Sequence, residues 1–215
     1  MIQPLKLVCS LFLSYLIGSI PTAYLLGRMM KGIDIRKHGS GNVGATNAFR
    51  VLGKIPGCCV LVVDVVKGLL CPTLLADGFG LSRIFERVLV GLVVVLGHSF
   101  SVFLKLKGGK GVATSLGVLI GLTIKIPVVL PVLLIAVGIW LGIFWISGFV
   151  SLASVVSVTA VPFVMVLLNQ PFEIVSLGII LCVFVVVRHK GNIHRILTGK
   201  EPRVPFFQKK RLGKP

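Results

Sequence analysis

Acidic residues are scarce: the chain of 215 residues holds six Asp and Glu, scattered along its length. No group of His, Cys, Asp and Glu has metal-ligand spacing, so neither a metal ion nor a cofactor is expected. Charge of either sign is sparse, at 13% against about 25% in soluble domains. Hydrophobic residues make up 55% and mean hydropathy is +1.02. This excludes a soluble globular domain and predicts an all-α integral membrane protein, a polytopic bundle. No Ala-x-Ala cleavage site follows the first hydrophobic run, so that run reads as a retained span rather than a signal peptide. A disulfide framework is also missing. Cys9, Cys58, Cys59, Cys71 and Cys182 lie in or at the edge of hydrophobic runs and read as small packing residues.

Hydrophobic runs are plentiful. Seven can be marked, over 5–27, 55–76, 88–104, 112–124, 126–146, 148–168 and 172–187. A helix needs about 20 residues to cross the hydrocarbon core. Five to seven spans fit, with seven preferred. The short fourth run reads as a helix shielded by its neighbours or as part of a re-entrant turn. With seven spans, one face receives 28–54, 105–111 and the chain from 188 onward, which together hold 18 of the 23 Lys and Arg. The positive-inside rule then places the N-terminus outside and the C-terminus in the cytoplasm. A net charge of +17 would suit nucleic acid, but it flanks spans here. Membrane lipids and small anions are the expected partners, and nucleic acid is not. Residues 1–203 are expected to form one transmembrane domain and 204–215 a basic cytoplasmic tail.

The three basic segments are also the glycine-rich ones. The first, Gly39 to Arg50, contains Gly39-x-Gly41-x-x-Gly44, the spacing of a dinucleotide fingerprint. That reading fails, because the stretch before it is polar and no strand precedes it. What remains is a glycine turn opening a helix, with Thr46, Asn47 and Arg50 available to an anion. An ordinary basic loop would explain the arginine but not the density of Gly, Ser, Asn and Thr. The second, Gly108-Gly-Lys-Gly-Val-Ala-Thr114, lacks the leading glycine and the Ser/Thr of a P-loop, so ATP hydrolysis is not indicated. Glycines around Lys110 still make a phosphate cradle. The third, Arg188 to Arg195, sets His189 and Asn192 three apart, on one face if the helix continues.

Two ionisable residues lie inside a span. Asp64 and Lys67 are spaced i, i+3 and are expected to pair in a structural role. His98, taken alone, is a packing or bridging histidine. Pro21 is expected to kink the first helix.

Gly18-Ser-Ile-Pro21, the Gly39–Arg50 loop, Gly97-His-x-Phe followed by Gly108-Gly-Lys-Gly-Val-Ala-Thr, and His189-x-x-Asn-Ile together resemble the bacterial acyl-phosphate:glycerol-3-phosphate acyltransferases, the PlsY family. The resemblance runs from the first hydrophobic run to Glu201. It implies a seven-helix enzyme of the bacterial inner membrane. Such an enzyme moves a fatty acyl group from acyl phosphate to the 1-hydroxyl of sn-glycerol 3-phosphate, giving lysophosphatidic acid and phosphate. It implies that Ser40, Arg50 and Lys110 bind substrate phosphate. Gly39, Gly41, Asn42, Gly44, Thr46 and Asn47 would hold acyl phosphate, together with Gly108, Gly109, Gly111 and Thr114. His189 and Asn192 would position glycerol phosphate, with His98, Arg188 and Glu201 beside them.

The chemistry is consistent with what the chain lacks. No Ser-His-Asp triad or catalytic cysteine is evident, and a mixed anhydride needs little nucleophile activation. Direct displacement without an acyl-enzyme is expected. His189 and a substrate phosphate are both candidate proton acceptors. A transporter of a small phosphorylated anion is the competing reading. It would place polar groups at the midplane and show matching halves.

Overall fold

The computed structural model describes residues 2–203, and among them every regular element is helical. The first hydrophobic run is two helices, α1 (Ile2–Ser19) and α2 (Thr22–Lys31), broken at Ile20-Pro21 as the proline predicts. A glycine-rich turn leads to the short α3 (Ala45–Val51). The next span is α4 (Lys54–Leu70), which passes through a π-helical turn at Cys71–Leu75 into the last turn α5 (Ala76–Gly78). Then come α6 (Ile84–Ser99), α7 (Val112–Lys125), α8 (Leu130–Ser147), α9 (Val150–Leu167) and α10 (Phe172–Arg188). The helix resumes as α11 (Lys190–Leu197), turned by 58° from α10. The bend means that His189 and Asn192 do not share one continuous helix face, although both are buried.

Among the described residues, five stretches are long and apolar enough to cross a membrane, or six if α10 and α11 are taken as one bent span. The fourth hydrophobic run forms a helix, α7, over Val112–Lys125.

Glycine sets the closest approaches. A Cβ on Gly18 would collide with the Val94 carbonyl oxygen, and one on Gly97 with that of Tyr15. The contact of α4 with α7 repeats this scheme: Gly68 lies against the Thr114 carbonyl and Gly117 against that of Val65. In each case the partner carbonyl belongs to the residue three before the partner glycine, so α1·α6 and α4·α7 are equivalent parallel crossings.

Away from the glycine-rich loops, Asp77 accepts from both Arg87 and Lys125, and Arg87 Nη1 donates to the Pro72 carbonyl oxygen at 2.8 Å. That guanidinium satisfies a backbone group within the π turn, where the ordinary helical ladder is interrupted. Cys71 is buried there as a packing residue. Cys58 and Cys59 are exposed on the outer surface of α4, contrary to the packing role expected for them. The basic tail 204–215 lies outside the described residues.

Candidate active site

The three glycine-rich segments meet around one cavity of about 440 Å³. Its mouth is polar, lined by Ser40, Thr46, Arg50, Lys110, His189 and Glu201. Its shaft is apolar and runs down between α7, α8, α9 and α10.

The first loop is held by one side chain. Asn47 is fully buried; its Nδ2 donates to the carbonyls of Asn42 (2.9 Å), His38 (3.0 Å) and Ile35 (3.3 Å). Its Oδ1 accepts from the Ser40 backbone N–H at 2.9 Å. Gly39 and Gly41 take positive φ, 60° and 72°, to make the turn. Asn47, expected to hold substrate, therefore shapes the loop that presents Ser40, Asn42 and Thr46. Arg50 is exposed at the mouth and donates to the Pro202 carbonyl oxygen at 3.3 Å.

The second loop is clamped from two sides. Gly108 and Gly109 N–H groups donate to the Ser99 and His98 carbonyls, each at 3.0 Å. Arg188 Nη2 donates to the carbonyls of Gly108 (3.0 Å) and Gly109 (2.9 Å). The His98 ring lies where a Cβ of Gly109 would be, so only glycine fits there. Gly111, at φ 86°, then turns the chain into α7. This leaves Lys110 pointing into the cavity, where burial pushes its ammonium down to about 8.

The third segment closes the ring. Lys110 Nζ donates to Asn192 Oδ1, and Asn192 Nδ2 donates to Glu201 Oε1 at 2.7 Å. Ser151 Oγ and Arg195 Nε also donate to Glu201, at 2.6 and 2.7 Å. Burial would raise the Glu201 carboxyl, but these three donors outweigh it and hold it below the usual range. At the break between α10 and α11, His189 Nδ1 lies 2.8 Å from the Val185 carbonyl oxygen. A carbonyl only accepts, so the proton belongs on Nδ1 and Nε2 keeps the lone pair. Burial, then the Lys110 cation, push this imidazole down to about 4, so it is neutral near pH 7.

Some expected residues stand behind the cavity wall rather than on it. Gly39, Gly41, Gly108, Gly109 and Arg188 shape the loops, and Thr114 faces α4 with its carbonyl against Gly68. His98 does line the cavity, together with Asp64, for which a structural pairing with Lys67 was expected. Lys67 Nζ lies 2.8 Å and His98 Nδ1 3.5 Å from Asp64 Oδ1. Sequence reasoning passed over Ser115 and Ser151, and it counted Arg195 only as one polar group of the third segment. A helical step beyond the Gly108–Thr114 motif would have pointed to Ser115, but nothing links Ser151 or Arg195 to Glu201 until the chain folds.

Comparison with known proteins covers nearly the whole chain. Residues 8–199 match the family model described as glycerol-3-phosphate acyltransferase. A glycerol-3-phosphate acyltransferase of Desulforudis audaxviator is 43% identical over 202 residues, covering 94% of this chain and 98% of the relative. One from Fusobacterium nucleatum is 42% identical, covering 92% and 98%. The crystal structure of PlsY, an integral membrane glycerol 3-phosphate acyltransferase, in its glycerol 3-phosphate form superposes with a TM-score of 0.82 at 37% identity. That match covers 92% of this chain and 95% of the other. The lysophosphatidic acid form gives 0.78 at 36% identity. These matches span nearly the whole chain, and this chain belongs to the PlsY family of glycerol-3-phosphate acyltransferases.

Proposed function

We propose that the protein transfers a fatty acyl group from acyl phosphate to the 1-hydroxyl of sn-glycerol 3-phosphate at the cytoplasmic face of the bacterial inner membrane. The observation that carries this reading is the cavity itself: a cationic mouth continuous with an apolar shaft. A phosphate-headed, acyl-tailed donor matches both ends. The basic segments support this sidedness, and seven crossings follow if α7 counts as a span. At 14 residues α7 is about 21 Å long, short for the core, but its packing against α4 shields it.

Two phosphates must lie side by side for the hydroxyl oxygen to reach the acyl carbonyl. Lys110, Arg50 and the Ser40 hydroxyl offset that repulsion, and Arg50 can grip phosphate in a bidentate fashion. The hydroxyl oxygen bonds to the carbonyl carbon, the bond from that carbon to the phosphate oxygen breaks, and phosphate leaves with the electron pair. Orientation and donors to the transient oxyanion supply most of the acceleration.

The hydroxyl proton goes to a substrate phosphate oxygen. His189 has a backbone carbonyl behind it rather than a carboxylate, and its low pKa makes it the weaker base. A phosphate with a second pKa near 6 is the stronger one. His189 instead orients the acceptor through Nε2.

The test uses purified protein, a saturated acyl phosphate and glycerol 3-phosphate. Lysophosphatidic acid and phosphate should appear in equal amounts. Folded protein that makes product from an acyl thioester but not from acyl phosphate overturns the donor. An acyl-protein adduct trapped in a single turnover overturns direct displacement.

A further inference from the structure

The apolar shaft runs down to buried side chains. Met165 on α9 is 2% exposed, Leu177 on α10 is 3% exposed and Leu122 on α7 is fully buried; all three line the deep part of the cavity. Higher up, Ser154 and Ser157 face it, but their hydroxyls donate to the carbonyls of Val150 and Ala136. Below Ser115 and Ser154 the wall is therefore chemically apolar, suited to a hydrocarbon chain.

The depth is measurable in residues. Eleven separate His189 from Gly178 on α10, and eleven separate Gly111 from Leu122 on α7. At the α-helical rise each distance is about 16 Å. One leaflet of a bilayer is about 15 Å, half the hydrocarbon core. The shaft thus holds a chain of membrane-lipid length and then stops.

What stops it is a pair. A Cβ on Gly178 would stand 2.5 Å from Met165 Sδ and 3.4 Å from its Cε. The thioether occupies the notch that the missing side chain leaves. Methionine is flexible, so a side chain at 178 would push it toward the neighbouring empty space, which is the cavity.

We infer that Met165, seated against Gly178, ends the acyl site and sets the longest acyl chain the protein transfers. The inference rests on the acyl-transfer reading above. The test compares kcat/KM across a homologous series of saturated acyl phosphates for the unchanged protein, Met165→Ala, Gly178→Ala and the double variant. Met165→Ala should move the optimum to longer chains. Gly178→Ala should move it to shorter ones, and the double variant should recover long chains. Each methylene gained or lost from burial is worth about 0.8 kcal/mol, roughly fourfold in kcat/KM. Short-chain rates serve as the internal control for folding. Profiles parallel to the unchanged protein, or a uniform loss at every chain length, overturn the inference. Absence of turnover of any acyl phosphate by the unchanged protein overturns the acyl-transfer reading instead.

Discussion

Lys110 Nζ donates to Asn192 Oδ1, and this one bond joins the second loop to α11. Through the Asn192 amide, the only cation on that loop facing the cavity is linked to the Glu201 carboxylate without touching it. A direct ion pair would hold Lys110 in competition with phosphate; a neutral amide orients it and leaves its charge available. Asn192→Asp replaces that amide with an anion. Charged hydrogen bonds are worth about 1.5–3 kcal/mol. Both Asn192→Asp and Lys110→Ala should therefore weaken glycerol phosphate binding roughly tenfold to a hundredfold, as measured by calorimetric titration. Unchanged affinity in either variant would remove Lys110 from the phosphate site.

Burial has a consequence for pH. Lys110 is held down to about 8, and an ammonium is charged below its pKa and neutral above it. Phosphate affinity of the free protein should be full below that value and fall as pH rises through about 8. Lys110→Arg keeps its charge throughout, since guanidinium titrates above about 12. In kcat/KM profiles, which report the free enzyme, the alkaline limb should be present in the unchanged protein and gone in the arginine variant. An alkaline limb identical in both would assign it to another group.

His189→Asn retains a polar side chain but has no basic nitrogen. If a substrate phosphate takes the proton, this variant should raise KM for glycerol phosphate more than it lowers kcat. Its acid limb should stay near pH 6, at the second phosphate pKa. A kcat reduced to background with KM unaltered would identify His189 as the base.

Much of this site was legible as loops and little of it as contacts. Glycine and basic residues at intervals named Ser40, Arg50, Lys110 and His189, because anion binding needs turned amides and countercharge in one place. Pro21 gave the break between α1 and α2 for the same local reason, a missing N–H. Asn47 was named for the ligand, and the structure adds a second task, holding its own loop: whether a buried amide does so depends on carbonyls five to twelve residues away. The 58° turn at His189 was not legible because no proline marks it in the sequence. Asp64 looked structural from its i, i+3 partner. The third member, His98, is on another helix and brings the group to the cavity wall.

The glycine crossings make a contrasting pair of predictions. Gly117 lies against the Val65 carbonyl, so Gly117→Ala must move a backbone and should cost about 1–3 kcal/mol. Gly138 on α8 has nothing within 4 Å of its absent Cβ, and alanine there gains helix propensity of up to about 1 kcal/mol. Thermal unfolding in one detergent should show a lowered Tm for the first and an equal or higher Tm for the second. Equal shifts in both would mean that α4 and α7 do not meet through these glycines.

Asp64 and Lys67 are both buried, with side chains 3% and 5% exposed, and Lys67 also donates to the Ile20 carbonyl oxygen at 3.2 Å. Removing one member leaves the other charge without compensation, at a cost of about 3–5 kcal/mol. Asp64→Leu alone should therefore lower Tm more than Asp64→Leu combined with Lys67→Met, which removes both charges and keeps the volume. The pair is also tied to the second loop, because His98 lies beside Asp64 and its ring packs on Gly109. Stability recovered by the double variant should thus leave glycerol phosphate affinity impaired, as the His98 ring loses its anchor. Recovery of Tm and affinity together would confine Asp64 to a structural role.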